Sequence, residues 1–426
     1  MKKITLFLSA LCLVFNALAQ KKLIHCGTLI DGVSNAARSQ VTIVVEKNKI
    51  TAVQNGYTVP QTGDEVIDLK SKTVMPGLID LHVHIESETS RDAAQKRMTM
   101  SSADVAFEAQ KHAMTTLMAG FTTVRDMGGS GVNIALRNAI SKGLVVGPRI
   151  FTAGKTIATT GGHGDPTNGW RPDVTFPDNI DDGVINSAEE ARRAVRQRYK
   201  DGSDCIKITA TGGVLSIAKS GKAPQFMQEE VEAVVNTAND YGFHVAAHAH
   251  GAEGMKRAIR AGVRTIEHGT LMDDECIQLF KEKGTYYVPT IIAGRSAADS
   301  AKIPGYYHPL VTPKALEIGS VIQKTFEKAY KAGVKVAFGT DAGVYKHGLN
   351  ALEFQYMTEG GMPMIEALKS ATMVAAEVLD MKDQLGSIET GKIADIIATD
   401  ANPLTDVKTL MKVAFVMKEG VVYKKQ

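Results

Sequence analysis

Eight short apolar runs alternate with helical stretches through the middle of this chain, and that alternation restricts the fold more than any other feature. The runs cover residues 77–85, 121–126, 149–153, 205–211, 244–250, 265–268, 286–291 and 335–340. Helical periodicity fills many of the intervals, for example 227–241, 253–261, 273–283 and 313–332. Several of these stretches end on Lys-x-Gly or Ala-Gly, a late cation followed by a residue that takes positive φ without strain. Strands that alternate with helices build a parallel sheet. Eight such units predict a (β/α)8 TIM barrel over residues 76–384. An open doubly wound sheet is the alternative, but polar residues recur at the ends of several runs, as a barrel mouth requires.

The two chain ends read differently. Short strands are expected at 22–28, 41–46, 49–53 and 66–68, and again at 393–399, 413–418 and 421–423, with one brief helical piece at 407–412. Turns such as Asn55-Gly56 separate them. Both ends are therefore expected to meet in one composite β-sandwich domain made of residues 20–75 and 385–426. One connection is unusually long, from 154 to 204. It carries Thr160-Gly-Gly-His-Gly-Asp165, then Trp170, Pro172, Phe176 and Pro177, before a helix near 188–201. Long ordered loops in compact domains are usually functional, so its first half is expected to form a lid.

Residues 1–19 have a basic start at Lys2-Lys3, a mostly apolar run from Ile4 to Leu18, and a small-x-small ending before Gln20. That is the pattern of a cleaved secretory signal, which predicts a periplasmic or secreted protein without a membrane span after cleavage. Loss of Lys2 and Lys3 takes the formal charge from +3 to +1, too small a bias to favour nucleic acid or an anionic membrane as partner. Cys26, Cys205 and Cys276 remain, an odd number without Cys-x-x-Cys spacing, so neither a disulfide framework nor thiolate ligation of zinc is expected.

Chemistry-bearing residues sit on the strand runs in order. His82 and His84 are two apart and share a strand face. Lys207 lies in the fourth run amid Cys205, Ile206, Ile208 and Thr209, where an unpaired ammonium would be costly to bury. His248 follows in the fifth run, His268 in the sixth and Asp341 just after the eighth. Neutral imidazoles and carboxylates suit zinc.

The chain resembles the metal-dependent amidohydrolase superfamily over essentially its whole mature length. The stretches that carry the likeness are Pro76-Gly-Leu-Ile-Asp-Leu-His-Val-His84, Gly161-Gly-His-Gly164, Thr211-Gly-Gly-Val-Leu215, His248-Ala-His-Gly251, Gly339-Thr-Asp-Ala-Gly343 with His347-Gly348, and Gly391-Lys-Ile-Ala-Asp395. Within it, the branch of Xaa-Pro dipeptidases and carboxypeptidases, related to imidazolonepropionase and to ochratoxin-degrading amidohydrolases, looks most similar. The resemblance implies two zinc ions, or another divalent metal, bridged by a carboxylated Lys207. His82, His84 and Asp341 would hold one ion and His248 and His268 the other. Asp341 would also move the proton during hydrolysis of an amide in a dipeptide or N-acyl amino acid, releasing the C-terminal residue. That residue could be proline, basic or aromatic, and ochratoxin-type amides fall within the same chemistry. Family members often assemble as homo-oligomers.

Other polar residues have weaker roles in this reading. His250 shares a face with His248 and is expected to polarise the scissile carbonyl. His163 is expected near the substrate α-carboxylate, and His347 at the mouth. Arg125 and Asp126 read as a structural ion pair, His244 as structural, and Met98, Met100, Met114 and Met118 as core filling; His25, His112 and His308 have no supporting context. Two other functions compete. Cyclic-amide opening or deamination of imidazolonepropionase type commonly uses one metal and does not need Lys207. A periplasmic metal- or peptide-binding protein would not need the complete ligand set.

Overall fold

The computed structural model describes residues 21–171, 173 and 181–426. The expected signal segment 1–19, and Pro172, Phe176 and Pro177 of the expected lid, lie outside the described residues. The first four strands are β1 (Lys21–Leu29), β2 (Arg38–Glu46), β3 (Lys49–Asn55) and β4 (Glu65–Pro76). β5 (Leu78–Val83), β6 (Phe121–Asp126) and β7 (Arg149–Thr152) follow, then the two-residue pair β8 (Ala158–Thr159) and β9 (Val184–Ile185). Next come β10 (Ile206–Thr209), β11 (Val245–Gly251), β12 (Thr265–Leu271) and β13 (Tyr286–Val288). The chain closes with β14 (Ile396–Thr399), β15 (Val413–Lys418) and β16 (Val421–Lys425).

Both ends of the chain do share one sheet, of order β16-β15-β14-β4-β1-β2-β3. It is a single curled sheet, not the two stacked sheets of the expected sandwich. The segment leading into β14 closes against β3 and the turn before it: Ala394 donates to the Asn48 carbonyl at 2.9 Å, and Ile50 to that of Lys392 at 2.9 Å. The turn between β15 and β16 presses against the turn between β2 and β3 so closely that a Cβ on Gly420 would stand 2.0 Å from the Lys47 carbonyl oxygen. Ile24, Ile43, Ile67, Ile396 and Phe415 fill the concave side. β4 runs far beyond the expected 66–68. Lys70, Ser71 and Lys72 hid its continuation, and it pairs with β1 through a bulge at Gly27 and then with β14.

Between the ends lie two parallel sheets, β5-β6-β7 and β10-β11-β12-β13. Backbone hydrogen bonds lead from each to the next. Asp204 donates to the Thr152 carbonyl at 2.7 Å, and Ile157 to that of Lys207 at 2.8 Å. On the far side residues 335–342 stand between β13 and β5. There Tyr287 donates to the Lys335 carbonyl at 2.8 Å, Leu81 to that of Phe338 at 3.0 Å, and Asp341 to that of His82 at 2.7 Å. The expected eighth strand is thus in place but irregular. The buried Asp80 carboxylate takes the Thr340 amide at 3.1 Å and its hydroxyl at 2.6 Å, replacing ladder bonds, and Asp341 turns to φ 59°.

Helices fall where periodicity put them: Ala188–Asp201, Gln228–Asp240, Ala252–Ala261, Asp274–Lys283 and Thr312–Lys331. Ser187 and Asp273 cap two of the N-termini, and Gly202, Gly262 and Gly284 end three with left-handed φ. The methionine reading fails at Met98, which is 68% exposed. Met118 packs against the main core as expected.

Candidate metal centre

All the parallel strands present their C-terminal ends to one side, and there the polar residues gather around a cavity of ≈ 360 Å³. His82 is on β5 and His84 directly follows it, Lys207 is on β10, His248 and His250 on β11, His268 on β12, and Asp341 beyond residue 340. All seven line the cavity, as does His163 from the long connection.

The protonation of the imidazoles follows from their partners. Glu267 is completely buried, which pushes its carboxyl up, yet Arg125 at 2.9 Å and then His82 hold it down at about 2. An ionised carboxylate only accepts, so His82 Nδ1, 2.8 Å from Glu267 Oε2, carries a proton. Burial, and then Lys207, lower His82 to about 4, so Nε2 is a bare lone pair. His84 Nδ1 donates to the Gly128 carbonyl at 2.8 Å; burial lowers this ring, but Asp341 beside Nε2 raises it above the ordinary histidine value. Asp341 Oδ1 lies 3.5 Å from His82 Nε2 and 3.3 Å from His84 Nε2, and is itself buried without a hydrogen-bond donor. The His82 lone pair and the Asp341 carboxylate converge on a point suited to a cation, and the proton that Asp341 favours on His84 is one that a metal ion would displace. Donor atoms of His82, His268 and Asp341 all lie within 4.8 Å of one another, a spacing that fits a divalent metal.

The other imidazoles are arranged alike. His248 Nε2 donates to the Gly212 carbonyl at 3.1 Å, leaving Nδ1 bare, and His268 Nδ1 meets Thr290 Oγ1 at 2.7 Å. Burial holds both rings well below the usual histidine range, so both are neutral ligands in waiting. His250 Nδ1 meets Thr270 Oγ1 at 2.8 Å, and burial lowers this ring to about 4. Lys207 Nζ sits 3.5 Å from His82 Nε2, and burial pulls the ammonium down to about 8.

His163 packs its ring onto Gly213, where any Cβ would lie 2.2 Å from ring atoms, and 4.4 Å from the His248 ring. His347 is not at the cavity. It stacks on His112 at 4.6 Å and bonds the Ser87 carbonyl, which makes it part of the packing beneath the mouth. The expected Arg125–Asp126 pair is absent. Arg125 reaches Glu267, Leu81 O and Thr265, while Asp126 accepts from Ile85 N and Asn133 Nδ2.

Glu267 and Thr290 escaped the sequence reading. Strict alternation would turn Glu267 away from His268, but φ 72° at His268 breaks the alternation and brings both toward His82. Thr290 (φ 50°) and Asp341 (φ 59°) share this left-handed strain, which non-glycine residues adopt rarely and often at working sites. Glu353 steadies the strained turn at Thr290 by accepting from Ile291 N and Ile292 N at 2.9 and 2.8 Å.

Imidazoles, a carboxylate and a buried lysine at the C-terminal ends of parallel strands define a hydrolase whose donor set fits divalent metal. Comparison with known proteins gives the same class. The profile of the amidohydrolase family matches residues 73–423. The chain belongs to that family and is a hydrolase acting on amide bonds. Its fold resembles a solved Xaa-Pro dipeptidase with bound methionine in the active site, at 54% identity and a TM-score of 0.93, over 95% of this chain and 100% of the other. A prolidase complexed with N-methylphosphonate-L-proline is similar at 33% identity and a TM-score of 0.88, over 96% and 100%. Ochratoxinase of Aspergillus niger is 31% identical over 95% of this chain and 87% of its own.

Proposed function

We propose that the protein is a binuclear metal amidohydrolase that cleaves dipeptides or N-acyl amino acids and releases the C-terminal residue, working from a closed eight-stranded barrel. His82, His84 and Asp341 would hold one zinc or similar ion, His248 and His268 the other. Lys207, once carboxylated by CO2, would supply the anionic bridge. When bound, the ions supply Lewis acidity toward water and the scissile carbonyl. The reading is carried by the convergence of His82 Nε2 and His84 Nε2 on Asp341 Oδ1, at 3.5 and 3.3 Å, with the Lys207 amine 3.5 Å from His82. An amine lowered to about 8 is partly neutral near physiological pH, and only the neutral amine attacks CO2.

In this mechanism Asp341 accepts the proton of the attacking water and passes it to the leaving nitrogen. His250, taking the Thr270 hydroxyl at Nδ1, presents Nε2–H to the carbonyl oxygen as negative charge develops there. The substrate α-carboxylate lies on the His163 side. Support for small amide substrates comes from the dipeptidase, prolidase and ochratoxinase relatives. The secretory-type pattern of residues 1–19 supports a periplasmic or secreted enzyme, and the family resemblance supports a homo-oligomer. Metal analysis of protein purified with bicarbonate, alongside a mass-spectrometric screen of dipeptides and N-acyl amino acids, tests the proposal. About two metals per chain with release of the C-terminal residue is expected. One metal per chain together with an active Lys207→Ala variant would sink it.

A further inference from the structure

Part of the cavity wall is apolar, and most of that part comes from three separate segments. Helix Ile291–Ala301 contributes Ala293, Gly294 and Ala297, while helix Thr312–Lys331 contributes Ile318 and Ile322. The loop after β10 adds Val214, whose neighbour Gly213 carries the His163 ring. Small residues at i, i+1 and i+4 on one helix face isoleucines at i and i+4 on the next, so the helices approach closely and leave a chamber between them. A Cβ on Gly294 would lie 3.0 Å from Ile322 side-chain carbons, which shows how tightly the chamber floor is drawn.

Among the described residues, the cavity is lined by only two side chains of full charge, Lys207 and Asp341, and both belong to the donor set. Lys314, on the second of these helices, turns away from the chamber. It spends its ammonium on the carbonyls of Gly213, Ser216 and Ala218 at 2.9, 2.7 and 2.9 Å, and thereby pins the loop that bears Val214. A charged group entering the chamber would lose its water and gain no partner. At ≈ 360 Å³ the space also sits near the small end of the roughly 300–1,000 Å³ typical of ligand pockets, a size for a dipeptide-like molecule and not for an extended chain.

We infer that this chamber is the side-chain subsite for the released C-terminal residue, and that it selects neutral, apolar side chains such as leucine, methionine or phenylalanine over basic and acidic ones. The inference rests on the proposed function, because a carboxylate on the His163 side directs the adjoining side chain toward Val214. It narrows the three leaving-residue types of the sequence reading by removing the basic one. Ile318 sits at the centre of the selection, since a carboxylate there would give a basic side chain its missing partner.

The metal-loaded enzyme is assayed with N-acetyl derivatives of leucine, methionine, lysine and glutamate, and binding of free L-leucine and L-lysine is measured by calorimetry. The expected kcat/KM for the apolar pair exceeds that for the charged pair by about 100-fold or more, with free leucine bound more tightly than lysine. Ile318→Asp should shift the leucine-to-lysine ratio toward lysine by at least about tenfold, and Ala297→Leu should depress leucine and methionine turnover more than that of N-acetylglycine. Thermal melting identifies folded variants, and either one suffices. Turnover of the lysine substrate within tenfold of leucine, or an unmoved ratio in a folded Ile318→Asp variant, overturns the subsite. Preferential leucine binding that responds to Ile318→Asp, in a protein that hydrolyses no amide, would uphold the subsite and refute the proposed reaction.

Discussion

Replacing Arg125 by methionine keeps most of the buried aliphatic volume and removes the charge that balances Glu267. Both side chains are completely buried. The guanidinium also donates to Leu81 O at 2.7 Å and to Thr265 Oγ1 at 3.2 Å, so three bonds go at once. Two routes lead to a similar magnitude. Glu267 held near 2, against an ordinary 4.5, corresponds to about 3 kcal/mol of native-state preference for the ionised form. Breaking a buried ion pair by removing one partner costs about 3–5 kcal/mol. The pH dependence gives a sharper test than the size. In the natural protein the depressed carboxyl contributes stability that is present above pH 4.5 and is lost as pH falls toward 2. Without Arg125, burial dominates and raises the same carboxyl, so its effect reverses: the variant is relatively most stable in acid and loses ground as pH rises. Urea unfolding of metal-free protein at pH 5 and pH 8 should therefore show the larger deficit at pH 8. The double variant Arg125→Met/Glu267→Gln should recover part of it. A deficit under about 1 kcal/mol, or one that grows toward acid, would show that Arg125 does not hold the Glu267 carboxylate in its ionised form.

Asp341→Asn preserves shape but cannot take a proton, and kcat should fall by about 10²–10⁴ with the fold intact by circular dichroism. Glu353, pushed up to about 8 by burial, contributes stability that is full below pH 4.5 and lost as pH rises through 8. Glu353→Gln should flatten that decline, and a variant whose unfolding midpoint keeps the natural slope between pH 5 and 9 would contradict this. Lys314→Met frees the Gly213, Ser216 and Ala218 carbonyls. Amide exchange in residues 213–218 should accelerate and KM rise while metal content stays constant; unchanged exchange would show that the loop holds itself.

Local patterns made much of this molecule readable. Helix ends at Gly202, Gly262 and Gly284, and the strand-borne His82, Lys207 and His248, depend on neighbours a few residues away, which a sequence displays. Arg125 and Glu267 pair across 142 residues, and nothing near either one announces the other. The left-handed turns at His268, Thr290 and Asp341 are imposed by surrounding packing, so the period-two reading fails where the chemistry is densest. β4 extends past its expected span because its polar middle lies at a bulge, where outward residues need not be apolar.

The sheet built from both chain ends ties folding to the order of synthesis. β4 is complete at Pro76, yet its partner β14 begins only at Ile396, roughly 320 residues later. At about 5–20 residues per second, the nascent chain carries β4 with one edge unpaired for on the order of 15 seconds to a minute. An unpaired edge of that length invites pairing with other chains. Any fragment that stops short of residue 396 keeps that edge permanently, so C-terminally truncated products should aggregate even when every residue of the metal centre is present.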